Sequence, residues 1–110
     1  MGGNALSQKI DLCHIEELKS GTAARFDVDG HRIALVRIED SFYAIGDRCT
    51  HANYSLAEGD VYVEEKEIEC WKHGSTFSLI TGKPTCLPAT KPVPVYDVVI
   101  EGERVMVIVS

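Results

Sequence analysis

The stretch ARFDVDGHRIALVRIEDSFYAIG, residues 24–46, decides the fold class. Its runs ARFDV, HRIALVRI and FYAI are rich in Val, Ile, Phe and Tyr, and they are separated by Asp29-Gly30 and by Glu39-Asp40-Ser41. Such runs suit strands, because β-branched and aromatic side chains pack well on a pleated surface. An Asp-Gly pair between the first two reads as the tight turn of a hairpin, since it tolerates the left-handed backbone that such a turn demands. No long stretch of the chain carries apolar residues at the 3.6-residue helical period, so the chain reads as all-β.

Outward from this stretch the same texture returns near the C-terminus. VYDVVI, Glu101-Gly102-Glu103 and RVMVIV form a second hairpin, whose alternation places Val105, Val107 and Val109 on one face as core candidates. The one helical suggestion is HIEELKSG, residues 14–21, a turn or two closed by Gly21 at the position favoured after a helix end. Between Gly46 and Pro94 the strands become short and interrupted, and all four prolines lie there. This is a loop-bearing insert on a β scaffold. Neither an internal repeat nor a linker divides the 110 residues, so one domain over 1–110 is expected.

Composition narrows the function classes. With 45% hydrophobic and 25% charged residues the chain can bury a core. That core is modest at this length, so a metal centre cross-linking loops would add stability. A formal net charge of -6 disfavours binding to nucleic-acid phosphates or anionic lipid, and suits a basic protein partner. The N-terminus MGGNALSQKIDLC lacks the charged and apolar regions of a secretory signal, and Leu6 stands where a myristoylation motif wants Ser or Thr. The longest apolar run, Val105 to Val109, is far short of a membrane span. A cytoplasmic location without membrane attachment is expected. In that compartment four cysteines point to metal or redox chemistry rather than disulfides.

Two segments of the insert carry that chemistry: RCTHANYS, residues 48–55, and ECWKHGSTF, residues 69–77. Each holds one cysteine and one histidine, as Cys49-x-His51 and Cys70-x-x-His73. Structural zinc sites usually take cysteines and histidines in like pairs spaced by two or more residues, and Cys49-x-His51 is tighter than that habit. If two irons share the site, each segment gives its cysteine to one iron and its histidine to the other, and the mixed order has a geometric reason. Spacing alone leaves zinc open.

Here the sequence resembles the Rieske 2Fe-2S proteins, in which two histidines replace two cysteines on one iron. His73-Gly74 with Phe77, Thr81-Gly82-Lys83, Leu87-Pro88-Ala89 and Val95 to Val98 are similar to the small ferredoxins that serve ring-hydroxylating dioxygenases, so the likeness spans most of the chain from about Phe42. The resemblance implies stacked antiparallel sheets forming a sandwich-like base. It also implies a cluster-binding subdomain at about 46–78 and a proline loop at about 86–94, with Pro88 over the cluster. Cys49 and Cys70 would hold one iron, His51 and His73 the other. The respiratory type has a further cysteine in each box, forming a disulfide, where this chain has Tyr54 and Lys72. Ser75 matches a serine that donates to cluster sulfur in the high-potential type, while Phe77 replaces a tyrosine that does the same. A potential toward the low end of the Rieske range follows, lifted somewhat by Ser75.

The reading is a one-electron carrier with one Rieske 2Fe-2S cluster and no catalytic residues. It would be a monomer passing electrons from a flavin-type reductase to a terminal oxygenase, with an aromatic-ring dioxygenase system favoured. The chain has no room for the second, mononuclear iron domain of an oxygenase subunit. Two alternatives stay open: a Rieske protein of redox sensing or iron-sulfur assembly, and a zinc-stabilised interaction module. Trp71 reads as a shield against water, or less readily as a partner contact. Cys13 and Cys86 read as reduced small residues without a role, and His14 and His31 as ordinary surface residues. YVEEKEIE, residues 62–69, reads as a solvated edge; a weaker alternative has Glu64, Glu65 and Glu67 docking a basic reductase.

Overall fold

The computed structural model describes residues 7–50, 54–72, 74–87 and 89–109. Among these described residues nine strands follow in order: β1 Gln8–His14, β2 Thr22–Val28, β3 His31–Ile38, β4 Ser41–Gly46, β5 Val61–Tyr62, β6 Glu67–Glu69, β7 Thr76–Ser78, β8 Val95–Glu101 and β9 Arg104–Val109. Single 3-10 turns occur at Ile15–Glu17 and Leu56–Glu58. One antiparallel sheet has the order β1-β9-β8-β4-β3-β2, the other β5-β6-β7. Both anticipated hairpins are present: β2 runs antiparallel to β3 with Val28 opposite His31, and β8 to β9 with Glu101 opposite Arg104. Asp29 and Gly30 both take positive φ, 49° and 80°, the backbone that a two-residue hairpin turn requires.

The large sheet is joined at its middle by only two residue pairs, Ala44 with Tyr96 and Ile45 with Val95. Its halves pack on each other across a core of Cys13, Val105, Val107 and Val109 from one side and Ile33, Leu35 and Ala44 from the other. This is the sandwich-like base. The three valines are at most 2% exposed, as their alternation anticipates. The opposite face of β3 and β4, through Ala34, Val36, Ile38 and Ile45, packs on a second core with Leu56, Ile68, Phe77 and Leu79. Strand β3 is therefore covered on both faces, which explains why its centre, Ile33 to Val36, is a continuous apolar run.

Two features depart from the sequence reading. The N-terminal segment forms an edge strand, β1, which pairs with β9 and carries a bulge between Asp11 and Cys13. The segment HIEELKSG makes one 3-10 turn rather than a helix. His14 caps that turn: its Nδ1 accepts from Glu16 N–H at 3.0 Å, and Glu17 accepts from the His14 N–H. The Arg37 guanidinium then takes the carbonyls of Ile15 and Leu18, at 2.8 and 3.0 Å, so nothing is left for a further turn to satisfy. Among the described residues no helix is long and apolar enough to cross a membrane.

Candidate metal centre

Three loops meet on the second core. The first leaves β4 through Asp47, whose side chain is fully buried. A buried carboxylate must be satisfied from several sides, and Asp47 is. Its Oδ1 accepts from Ser55 Oγ–H and from Ala57 N–H, each at 2.8 Å. Its Oδ2 accepts from Arg32 at 3.2 Å and lies 3.8 Å from Arg25 Nε. The Asp47 carbonyl accepts from Leu56 N–H at 2.6 Å, and Cys49 N–H donates to the Tyr54 carbonyl at 2.9 Å. These bonds close residues 47–57 into a loop whose Cys49 faces the core, 1% exposed.

The second loop is tighter. Cys70 N–H donates to the Ser75 carbonyl at 2.7 Å, and Gly74 N–H returns to the Cys70 carbonyl at 3.0 Å. Cys70 and Ser75 are both wholly buried. Behind this loop Gly59 passes so close to β6 that a Cβ there would overlap the Glu69 carbonyl, so only glycine fits. The third loop, 84–94, is bonded to both others. Ala89 N–H donates to Ser75 Oγ at 3.0 Å, and Thr50 Oγ–H donates to the Lys91 carbonyl at 2.7 Å. The first two loops also touch directly through Tyr54 and Trp71, whose rings meet edge to face at 5.2 Å and 82°. Trp71 is 51% exposed, and the Lys72 ammonium lies 5.8 Å over its ring. The structure thus draws Cys49, Cys70, Ser75 and Trp71 into one region. His51, His73 and Pro88 lie outside the described residues.

None of Cys13, Cys49, Cys70 and Cys86 is in a disulfide. Cys49 and Cys70 belong to the same buried core, on loops that a serine hydroxyl and a third loop enclose. The Ser75 oxygen accepts from Ala89, which leaves the hydroxyl hydrogen to donate. Two buried thiols and a buried hydroxyl able to donate suit a sulfide-bearing cluster, so the described residues fit that group. The remaining cysteines stand apart. Cys13 is in the base core, where burial first of all pushes its thiol up, keeping it protonated. Cys86 is exposed on the third loop.

Sequence reasoning missed Asp47 and Thr50, because a lone acid or hydroxyl beside a ligand box carries no periodic signal. It also undervalued two histidines: His14 caps a turn and meets Glu103 at 2.8 Å, and His31 meets the Tyr96 hydroxyl at 3.2 Å.

Comparison with known proteins agrees with this geometry. The Rieske [2Fe-2S] domain family matches residues 8–97, so the chain belongs to that family and carries a Rieske-type 2Fe-2S cluster. It is an electron carrier of the ferredoxin kind rather than a catalyst. The 3-phenylpropionate/cinnamic acid dioxygenase ferredoxin subunit of Escherichia coli (strain K12) is 41% identical over 100 residues, which are 90% of this chain and 92% of that one. The ferredoxin of carbazole 1,9a-dioxygenase from Nocardioides aromaticivorans IC177 superposes with a TM-score of 0.88 at 41% identity, over 90% of this chain and 95% of that one. A chain of a complex of reduced oxygenase and oxidized ferredoxin in carbazole 1,9a-dioxygenase matches with a TM-score of 0.83 at 35% identity, over 90% of this chain and 91% of that one.

Proposed function

We propose that this chain is the ferredoxin of a multicomponent aromatic-ring dioxygenase, taking electrons singly from a flavin-type reductase and giving them to a terminal oxygenase. The observation that carries this reading is the pairing of two buried, disulfide-free cysteines on loops closed by Asp47 and Ser75, in a chain resembling dioxygenase ferredoxins along nine-tenths of its length. We assign Cys49 and Cys70 to one iron and His51 and His73 to the other, with Ser75, Trp71 and Pro88 around the cluster. The bound cluster supplies a one-electron couple whose range is set by two neutral imidazoles in place of two thiolates.

The chain's own part is to bind, orient and shelter. Asp47 fixes the first loop, the buried Ser75 hydroxyl keeps its hydrogen available to donate, and Phe77, wholly buried, offers no second donor. The cluster-binding subdomain spans about 46–78 and the proline loop about 86–94, on a single domain of 1–110. The protein works as a monomer in the cytoplasm. Its contact with each partner is small and quickly released, as suits a shuttle.

Iron, zinc and acid-labile sulfide per chain, measured on anaerobically purified protein, test this first. Two irons and two sulfides are expected; one zinc without sulfide would overturn the reading. His51→Cys then tests the ligand assignment. It should lower the potential by on the order of 100 mV or more, since four thiolates work far below the Rieske range. An unchanged potential would remove His51 from the ligands.

A further inference from the structure

Strand β6 runs straight into the second loop, and its alternation sorts what faces the core. Ile68 and Cys70 are wholly buried, whereas their neighbours Glu67 and Glu69 are only half-buried. The Glu69 backbone is fixed: its N–H donates to the Asp60 carbonyl at 2.9 Å, and its own carbonyl lies against Gly59. Its side chain is placed at both oxygens. Oε1 accepts from the Tyr62 hydroxyl, and Oε2 lies against Gly74, 3.4 Å from where a Cβ on that glycine would stand. Gly74 is the residue that closes the second loop on the Cys70 carbonyl, and it directly follows His73. One carboxylate therefore adjoins Cys70 along the chain and touches the residue next to His73 across the loop.

This end of the molecule holds further acids, and none is placed in that way. Asp47 is answered by Arg32 and Arg25. Glu58, Asp60, Glu64 and Glu65 are exposed. Glu67 stands further back along β6, opposite Tyr62 and Ser78. Among the described residues Glu69 is in no ion pair. Its hydrogen-bond partner is a neutral phenol, whose pKa that bond, first of all, pushes up to about 12, so at neutral pH Tyr62 keeps the proton with which it holds the carboxylate.

We propose that Glu69 is a fixed negative charge that lowers the midpoint potential of the cluster, and that Tyr62 is the positioning residue that keeps it against the second loop. Net charge and hydrogen bonding around an iron-sulfur cluster set its potential. Reduction adds one negative charge, and an uncompensated carboxylate beside a ligand loop makes that addition costlier. The second loop thus carries two opposed devices: the Ser75 hydroxyl favours the reduced state, and Glu69 disfavours it. Their balance sets how strong an electron donor the reduced chain is.

This inference rests on the electron-carrier reading, and the experiment separates the two. Iron, sulfide and a reversible couple are first established for the parent with soluble mediators; their absence would sink the carrier reading before any variant is compared. Midpoint potentials of the loaded variants are then read at neutral pH. Glu69→Gln removes the charge, and its remaining carbonyl oxygen can still accept from Tyr62. It should favour the reduced state by about fivefold, which is a rise of roughly 40 mV at 59 mV per tenfold. Tyr62→Phe keeps the charge but frees the carboxylate to turn toward water, and should give a smaller rise of the same sign. Glu16→Gln makes the same change in net charge on the exposed 3-10 turn of the base and should leave the potential at the parent value. A parent potential in Glu69→Gln, or an equal rise in Glu16→Gln, would overturn the assignment of Glu69. A parent or lowered potential in Tyr62→Phe would overturn the positioning role. Should Glu69→Gln fail to load, Tyr62→Phe carries the test alone: a rise supports the fixed charge, and a parent or lowered value overturns it.

Discussion

The base sandwich and the cluster end are built from the same kind of chain but held in different ways. In the base, strands of six to eight residues pair with a hairpin partner over most of their length and bury alternate valines and isoleucines between two layers. In the cluster end the strands have two or three residues, too few to define a sheet alone. Shape there comes from bonds between loops: Asp47 to Ser55 and Ala57, Ser75 to Ala89, Thr50 to Lys91. The two regions share β3, whose opposite faces belong to the two cores. The difference teaches that the base can fold on burial and ladder bonds alone, whereas the cluster end needs its ligand group as a third source of stability.

The strongest way to break this comparison is Cys70→Ser. Cluster content should fall from two irons per chain to almost none while the far-UV signal of the β base persists. Full iron would remove Cys70 from the ligands, and complete unfolding would show that the base depends on the cluster. Asp47→Ala comes next. It strips the first loop of its clamp and leaves Ser55 and Ala57 without their acceptor beside two arginines, a loss of about 3 kcal/mol. Cluster release, followed by loss of visible absorbance under chelator, should speed up well before the base melts. Release at the parent rate would show that Asp47 does not hold the loop.

How legible these regions were in the sequence follows the same division. The base hairpins were readable because Asp29-Gly30 and the Val105, Val107, Val109 alternation are local signals with a fixed period. Strand β1 was not. Its alternation covers only Ile10 and Leu12 before a bulge turns Cys13 inward, and its partner is about ninety residues away. The single turn at Ile15–Glu17 was legible as helical but not in length, since what stops it is Arg37 reaching across from β3. At the cluster end Cys49 and Cys70 stood out as residue types at a spacing, and Ser75 only through the family likeness. Asp47 and Thr50 act through partners that no local pattern announces.

Smaller effects sharpen the contrast. Val107→Ala removes two methyl groups from the base core and should destabilise by about 2 kcal/mol, lowering Tm by roughly 8 °C in a chain of this length. Val107 belongs to the core that the ligand loops do not share, so the midpoint potential should stay at the parent value. A shifted potential with an unchanged Tm would invert the division of labour argued above.

Ser75→Ala should do the reverse, with little effect on Tm and a measurable effect on potential. The hydroxyl accepts from Ala89 N–H and has its hydrogen free for a cluster sulfur. A donor to sulfur favours the reduced state, which carries one more negative charge, so its loss should lower the potential. One hydrogen bond is worth about 1 kcal/mol, and 59 mV corresponds to a tenfold change for one electron, so a fall of roughly 40 mV is expected. Ser75→Thr keeps the hydroxyl and should recover most of that fall if the added methyl is accommodated. A fall that Ser75→Thr restores identifies the hydroxyl as the cause. No change in Ser75→Ala would mean that Ser75 serves only to tie the second loop to the third.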